Sequence, residues 1–158
     1  MNKQLQNSQH ELMSELDDTL LFDNQICFPI YSAANSVVRA YTPLLKKLDL
    51  TYLQYMVLML LWQEPNLMVK EIGQRVNLDS GTLTPLLKRL EAKGFVIRTR
   101  GKDDERVRMI SITKKGMAIK ENASSIPTKL ACSIGLSREK SLALKSLCQE
   151  LLATLNKL

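Results

Sequence analysis

A chain of 158 residues, 45% hydrophobic and 24% charged, has the usage of one globular domain or at most two small ones, and can bury a core without staples. Three cysteines without CxxC spacing, and a single histidine (His10) in a polar stretch, argue against a disulfide scaffold, a metal site and histidine-based catalysis. The net charge of +6 sits between Met68 and Lys115, which hold 12 Lys and Arg against 6 Asp and Glu, while the rest of the chain balances; a basic block between neutral flanks points to a polyanion partner.

Residues 1–14 are polar and lack the apolar segment of a signal peptide, so they read as a mobile tail. The longest apolar run, Met56 to Trp62, is far short of a membrane span, and the expected address is the cytoplasm. The first helical region runs from Asp17 or Asn24 to Leu48, and Pro43 fits it only at a break, since proline removes a helix hydrogen bond. Thr51 caps "YLQYMVLMLLWQE", apolar nearly all round and therefore a central core helix, which Pro65-Asn66 ends. A short helix covers Val69 to Val76, Asn77-Leu78 turns the chain, and Asp79 or Ser80 caps a longer helix stopped by Gly94. Pro85, inside that helix or in its second turn, should bend it or weaken its start. "FVIRTR" and "RVRMISIT" alternate apolar and polar residues around the polar tip "GKDDE", which makes a hairpin. Thr113 caps a helix to about Lys129, Pro127 and Gly135 mark a break, and Ser137 starts the last helix. There Leu144, Cys148, Leu151, Leu152 and Leu155 share one face, which reads Cys148 as core.

The expected fold class is therefore mainly α: a helix–turn–helix followed by a hairpin, with amphipathic helices at both ends. A second copy would cover those apolar end faces, so a homodimer is expected, with a monomeric bundle as the alternative. A helix–turn–helix lays its second helix in the major groove, where small polar residues let the backbone approach. Ser80, Gly81, Thr82 and Thr84 stand at that helix's start, behind Asp79. Lys88, Arg89 and Lys93 further on suit phosphates. The hairpin presents Lys102 and Arg106 at its tip and Arg98, Arg100 and Arg108 along its arms, and an arginine on a thin hairpin suits a narrow minor groove. Asp103, Asp104 and Glu105 carry the wrong sign for DNA; an Asp–Arg pair that orients the arginine fork accounts for at least one of them.

"LDSGTLTPLLKRLEAKGFVIRTRGKDDERVRMISIT" resembles the winged helix–turn–helix of the MarR family. Its wing signature, Asp-x-Arg followed by a strand, falls on Asp104, Arg106, Ile112 and Thr113. The resemblance covers nearly the whole chain after about residue 15. It implies one MarR-like domain, with residues 15–50 and 115–158 as dimerisation helices and 51–114 as the DNA-binding lobe. It also implies a dimer on pseudo-palindromic double-stranded DNA, usually as a repressor, with no cofactor. "DNQICFPIYSAAN" is similar to one branch, the organic hydroperoxide regulators called OhrR, in which a cysteine near the start of the first helix senses peroxide. That makes Cys27 the sensing residue. Tyr31, Tyr41 and Tyr52 stand where the branch has tyrosine hydroxyls on the thiolate. Cys132, in the expected loop before the last helix, stands where some members carry a resolving cysteine.

Spacing adds its own constraint. Tyr31 is one helical turn from Cys27, whereas Tyr41 is i+14, roughly 21 Å along a straight helix. Tyr41 could serve a partner's Cys27 if two such helices cross, or its own if the helix bends sharply. Thiolate is the nucleophile toward peroxide, and phenol hydroxyls favour the charged form. Pro29 cannot bond back to the Gln25 carbonyl, so the helix either begins near Pro29 or kinks there. The expected protein is a non-enzymatic, dimeric repressor that senses organic hydroperoxides through Cys27, resolved by Cys132 of the other chain, and then releases its operator. One alternative is a MarR-type repressor for a small aromatic or anionic ligand. The other, a thiol peroxidase, would have no use for a basic wing.

Overall fold

The computed structural model describes residues 18–101 and 107–157. The elements run α1 (Cys27–Lys46), α2 (Tyr52–Gln63), β1 (Asn66–Met68), α3 (Val69–Val76), α4 (Ser80–Ala92), β2 (Val96–Arg100), β3 (Arg108–Ile112), α5 (Lys114–Ala123), α6 (Ile126–Ile134) and α7 (Arg138–Leu155). Among the described residues no helix is long and apolar enough to cross a membrane. The chain divides at Arg39–Ala40, within α1, into two compact units.

In the first unit a short 3-10 turn, Phe22–Asn24, precedes α1. The Gln25 side chain donates to the Leu21 carbonyl, and the Phe22 and Phe28 rings meet at 4.3 Å. α1 begins at Cys27, so Pro29 occupies the first turn, where its missing N–H would have had no partner anyway. Of the two expected outcomes at Pro29, the structure has the early start. Leu20, Leu21, Phe22, Ile26 and Phe28 are all exposed in the single chain.

In the second unit α1 continues to Lys46 through Pro43, so the expected break is absent; Pro43 lies near the helix end, where one lost bond interrupts little. Thr51 and Gln54 close a full capping box on α2. α2 is the centre of the core: Tyr55, Val57, Leu58 and Leu61 are buried with Ile72 of α3, Leu83, Leu87 and Leu90 of α4, and Ile110 of β3. Each such Leu or Ile contributes about 1.5–3 kcal/mol on burial. β3 lies between β1 and β2 in an antiparallel sheet, with Leu67 opposite Ile110 and Val96 opposite Ile112. β1, three residues long, carries no alternating pattern that would announce it in the sequence.

Beyond the wing, Thr113 caps α5 by accepting from the Gly116 N–H, as expected, but the helix ends at Ala123. Pro127 does not break a helix; it sits in the first turn of α6, where proline is favoured. Gly135 stops α6 in a left-handed conformation, φ +67°, and the Ser137 hydroxyl caps α7. α7 buries none of its residues in the single chain: Leu144, Leu147, Leu151, Leu152 and Leu155 are exposed, and so is Cys148, which is therefore not core here.

Candidate DNA-reading face and cysteine sites

The face that would meet DNA is built by α3, the turn after it, α4 and the two long strands. Asn77 adopts a left-handed conformation, φ +52°, which lets the chain reverse in two residues. Asp79 then caps α4: its carboxylate accepts from the Thr82 N–H at 2.9 Å and from the Thr82 hydroxyl at 2.8 Å. Those two bonds, the backbone one first, hold the Asp79 carboxyl below the usual carboxylate range. α4 buries Leu83, Leu86, Leu87 and Leu90. Helical spacing therefore leaves Ser80, Gly81, Thr82, Lys88 and Arg89 exposed on the other side, with Thr84 half-buried between. Pro85 lies inside α4 without ending it. A cavity of about 750 Å³ opens beside this face, lined by Met68, Lys70, Leu78, Ser80, Val107 and Arg108 among others.

The expected basic residues do not all stand alike. Arg108 is exposed at the start of β3. Arg98 faces α4: its backbone N–H donates to Glu91 Oε1 at 3.1 Å, and its guanidinium lies 4.0 Å from Glu91 Oε2. Arg98 thus ties β2 to α4. Lys93, expected on a phosphate, is engaged within the fold by the Asp49 carbonyl and by Gln54. Lys102, Asp104 and Arg106 lie outside the described residues.

The cysteine residues are Cys27, Cys132 and Cys148, all free and exposed. Cys27 is the first residue of α1, at the positive end of the helix dipole, and Tyr31 follows one turn later, also exposed. Cys132 lies inside α6 and not in a loop; the loop before α7 is shorter than the sequence suggests because α6 runs to Ile134. In the second unit Tyr41 and Tyr52 are brought together, their ring centres 4.7 Å apart, with Tyr55 5.8 Å from Tyr41. Burial pushes the Tyr41 hydroxyl above the ordinary tyrosine range, and the neighbouring phenols of Tyr52 and Tyr55 add to it; burial does the same to Tyr52. Both phenols are therefore proton donors throughout the neutral range. Tyr55 meets Trp62 edge-on at 5.9 Å, and the Trp62 indole N–H donates to the Gly116 carbonyl at 2.9 Å. Among the described residues no His, Cys, Asp and Glu group is placed to hold a metal ion.

Comparison with known proteins gives consistent findings. The family model for the transcriptional regulators SarA/Rot matches residues 39–123. The organic hydroperoxide resistance transcriptional regulator of Bacillus subtilis is 44% identical over 130 residues, covering 82% of this chain and 86% of that protein. Among solved structures, reduced AbfR bound to DNA is 34% identical with a TM-score of 0.70, covering 84% of this chain and 94% of its own. Overoxidised AbfR bound to DNA is 33% identical with a TM-score of 0.73, covering 88% and 98%. Disulfide-formed AbfR is 30% identical with a TM-score of 0.56, covering 98% and 97%. AbfR comes from Staphylococcus epidermidis.

Proposed function

We propose that this chain, which belongs to the MarR family of DNA-binding transcriptional regulators and to the group that includes the organic hydroperoxide resistance regulators, is a dimeric repressor switched by oxidation of Cys27. The observation that carries the reading is the place of Cys27: an exposed thiol opening a long helix, with Tyr31 one turn on. The thiolate attacks one oxygen of an organic hydroperoxide. The O–O bond breaks, the alcohol leaves after taking a proton, and Cys27 becomes a sulfenic acid. The thiolate of Cys132 in the partner protomer then attacks that sulfur, hydroxide leaves, and a disulfide joins the chains. Residues 15–50 and 115–158 form the dimer interface in this reading, which gives the exposed leucines of α7 a cover. Ser80, Gly81, Thr82 and Thr84 approach the groove, Lys88, Arg89, Lys102 and Arg108 meet phosphate or the groove walls, Asp104 orients Arg106 in the minor groove, and Arg98 braces the wing. An overoxidised form of AbfR is bound to DNA, which favours the disulfide over thiol oxidation itself as the releasing event.

The test is a gel shift on the DNA upstream of the protein's own gene, with and without one equivalent of cumene hydroperoxide, beside a non-reducing gel. The wild type should lose DNA and run as a linked dimer, and dithiothreitol should restore both. Cys27→Ser should hold DNA regardless of peroxide. Cys132→Ser should be oxidised, stay unlinked and keep its DNA, while Cys148→Ser should behave as wild type. Release by peroxide from Cys27→Ser would overturn the sensor assignment, and linkage that needs Cys148 would overturn the resolving one. A second reading, induction by a small anionic ligand, draws on a cavity of about 320 Å³ lined by Leu44, Lys47, Ile126 and Lys129. DNA release by salicylate from the Cys27→Ser variant would favour it.

A further inference from the structure

Lys93, the C-cap that follows α4, is spent inside the fold. Its ammonium donates to the Asp49 backbone carbonyl, lies 3.2 Å from the Asp49 carboxylate, and lies 3.3 Å from Gln54 Oε1. Gln54 is 3% exposed, and the same oxygen accepts from the Thr51 N–H at 3.2 Å as half of the α2 capping box. The Lys93 carbonyl in turn accepts from Lys115 Nζ at 2.8 Å, and that ammonium lies 5.1 Å from the centre of the Phe95 ring. The end of α4 is thereby joined to the elbow between α1 and α2 and to the start of α5.

The elbow is itself unusual. α1 ends with the Asp49 N–H on the Lys46 carbonyl and the Leu50 N–H on the Leu45 carbonyl, the bond pattern of a helix stop that normally places glycine in the left-handed residue. Here that residue is Asp49, φ +52°. An aspartate carries a steric cost there that glycine would not. Its carboxylate and its carbonyl both face Lys93, which supplies a reason for the choice.

We propose that Lys93 is a positioning residue: it fixes the angle of α4 against the α1–α2 elbow and so sets the half-site separation the dimer accepts. The proposal rests on the reading that α4 enters the major groove of a dimer's operator. Inserting one base pair between half-sites displaces them by roughly 3.4 Å and rotates them by about 35°. A rigid dimer rejects that; a dimer whose α4 pivots accepts it.

The experiment uses full-length reduced protein and a palindromic duplex selected by the wild type from a randomised pool, rebuilt with one or two base pairs added or removed at its centre. The wild type should prefer its own spacing by about ten-fold or more. Lys93→Met should lose most of that preference while its protection of bases within each half-site is unchanged, and Lys93→Arg should restore it. Asp49→Gly keeps the turn in a favoured conformation and removes only the carboxylate arm, so it should lose part of the preference without losing thermal stability. If Lys93→Met does not fold, Asp49→Gly decides by the same readout. A uniform drop in affinity with the wild-type spacing ratio intact, in whichever of the two decides, overturns the positioning role. A wild type with no spacing preference would instead overturn the dimeric operator reading beneath it.

Discussion

Tyr41 and Tyr52 are the residues whose role is most open to a single-atom test. Each loses only its hydroxyl on change to Phe, and the 4.7 Å ring contact survives. If these phenols donate to a thiolate, Tyr41→Phe and Tyr52→Phe should slow alkylation of Cys27 by iodoacetamide and its reaction with cumene hydroperoxide. Equal rates in wild type and both variants would make the tyrosines packing residues only. Their titration gives an independent check. Both hydroxyls are raised above the ordinary tyrosine range, chiefly by burial. An acid whose folded value is raised binds more protons when folded, so its contribution is full below the unfolded value and is lost as pH rises through the folded one. Tyr41→Phe should therefore flatten the alkaline limb of the stability profile and leave the neutral region as it was. At this scale the sequence is a partial guide. It marks Cys27 and the tyrosines by motif, but it reads Lys93 and Arg98 as DNA contacts. That one turns to Asp49 and the other to Glu91, partners 44 and 7 residues away, depends on how the helices pack.

Elements were legible wherever a capping residue or a left-handed turn punctuates the chain. Thr51, Asp79, Thr113 and Ser137 all cap with their side chains, and Gly94 and Gly135 follow helix ends at positive φ. β1 was not legible: three residues after Pro65 carry no pattern, and the strand exists because Leu67 finds Ile110 across β3. The α5–α6 break was misplaced because Pro127 reads as a stop when it is a start. Cys132 moved from loop to helix as a consequence. The joint between α5 and the wing turns on Gly116, where a Cβ would stand 2.2 Å from the Phe95 carbonyl oxygen. A backbone atom cannot yield as a flexible side chain would. Gly116→Ala should therefore destabilise the fold by about 1–3 kcal/mol. It should also shift the emission of Trp62, the single tryptophan of the chain, whose indole N–H is held by the Gly116 carbonyl. A melting temperature and emission maximum equal to wild type would show that α5 slides free of Phe95.

For the molecule as a whole the decisive quantity is where charge meets shape. The basic block spans α3 to the start of α5, and the packing of Leu83, Leu86, Leu87 and Leu90 decides which of its residues can face a polyanion. Lys88 and Arg89 stand on the exposed side of α4, while Lys93 and Arg98 are turned inward, so charge counted from the sequence overstates the contacts available. Each phosphate neutralised contributes about 0.9 to the slope of log affinity against log salt. Lys88→Gln with Arg89→Gln removes two contacts per protomer. If the protein binds as a dimer, the slope should fall by about 3.6; a bound monomer would show about 1.8. Affinity should drop similarly on specific and non-specific duplexes, because phosphate contacts carry no sequence information. The measurement is a fluorescence-anisotropy titration of reduced protein on a labelled operator duplex between about 50 and 200 mM salt. An unchanged slope would remove α4 from the phosphate backbone, and with it the docking of this helix in the groove. A fall near the smaller value would keep the docking and take away the dimer.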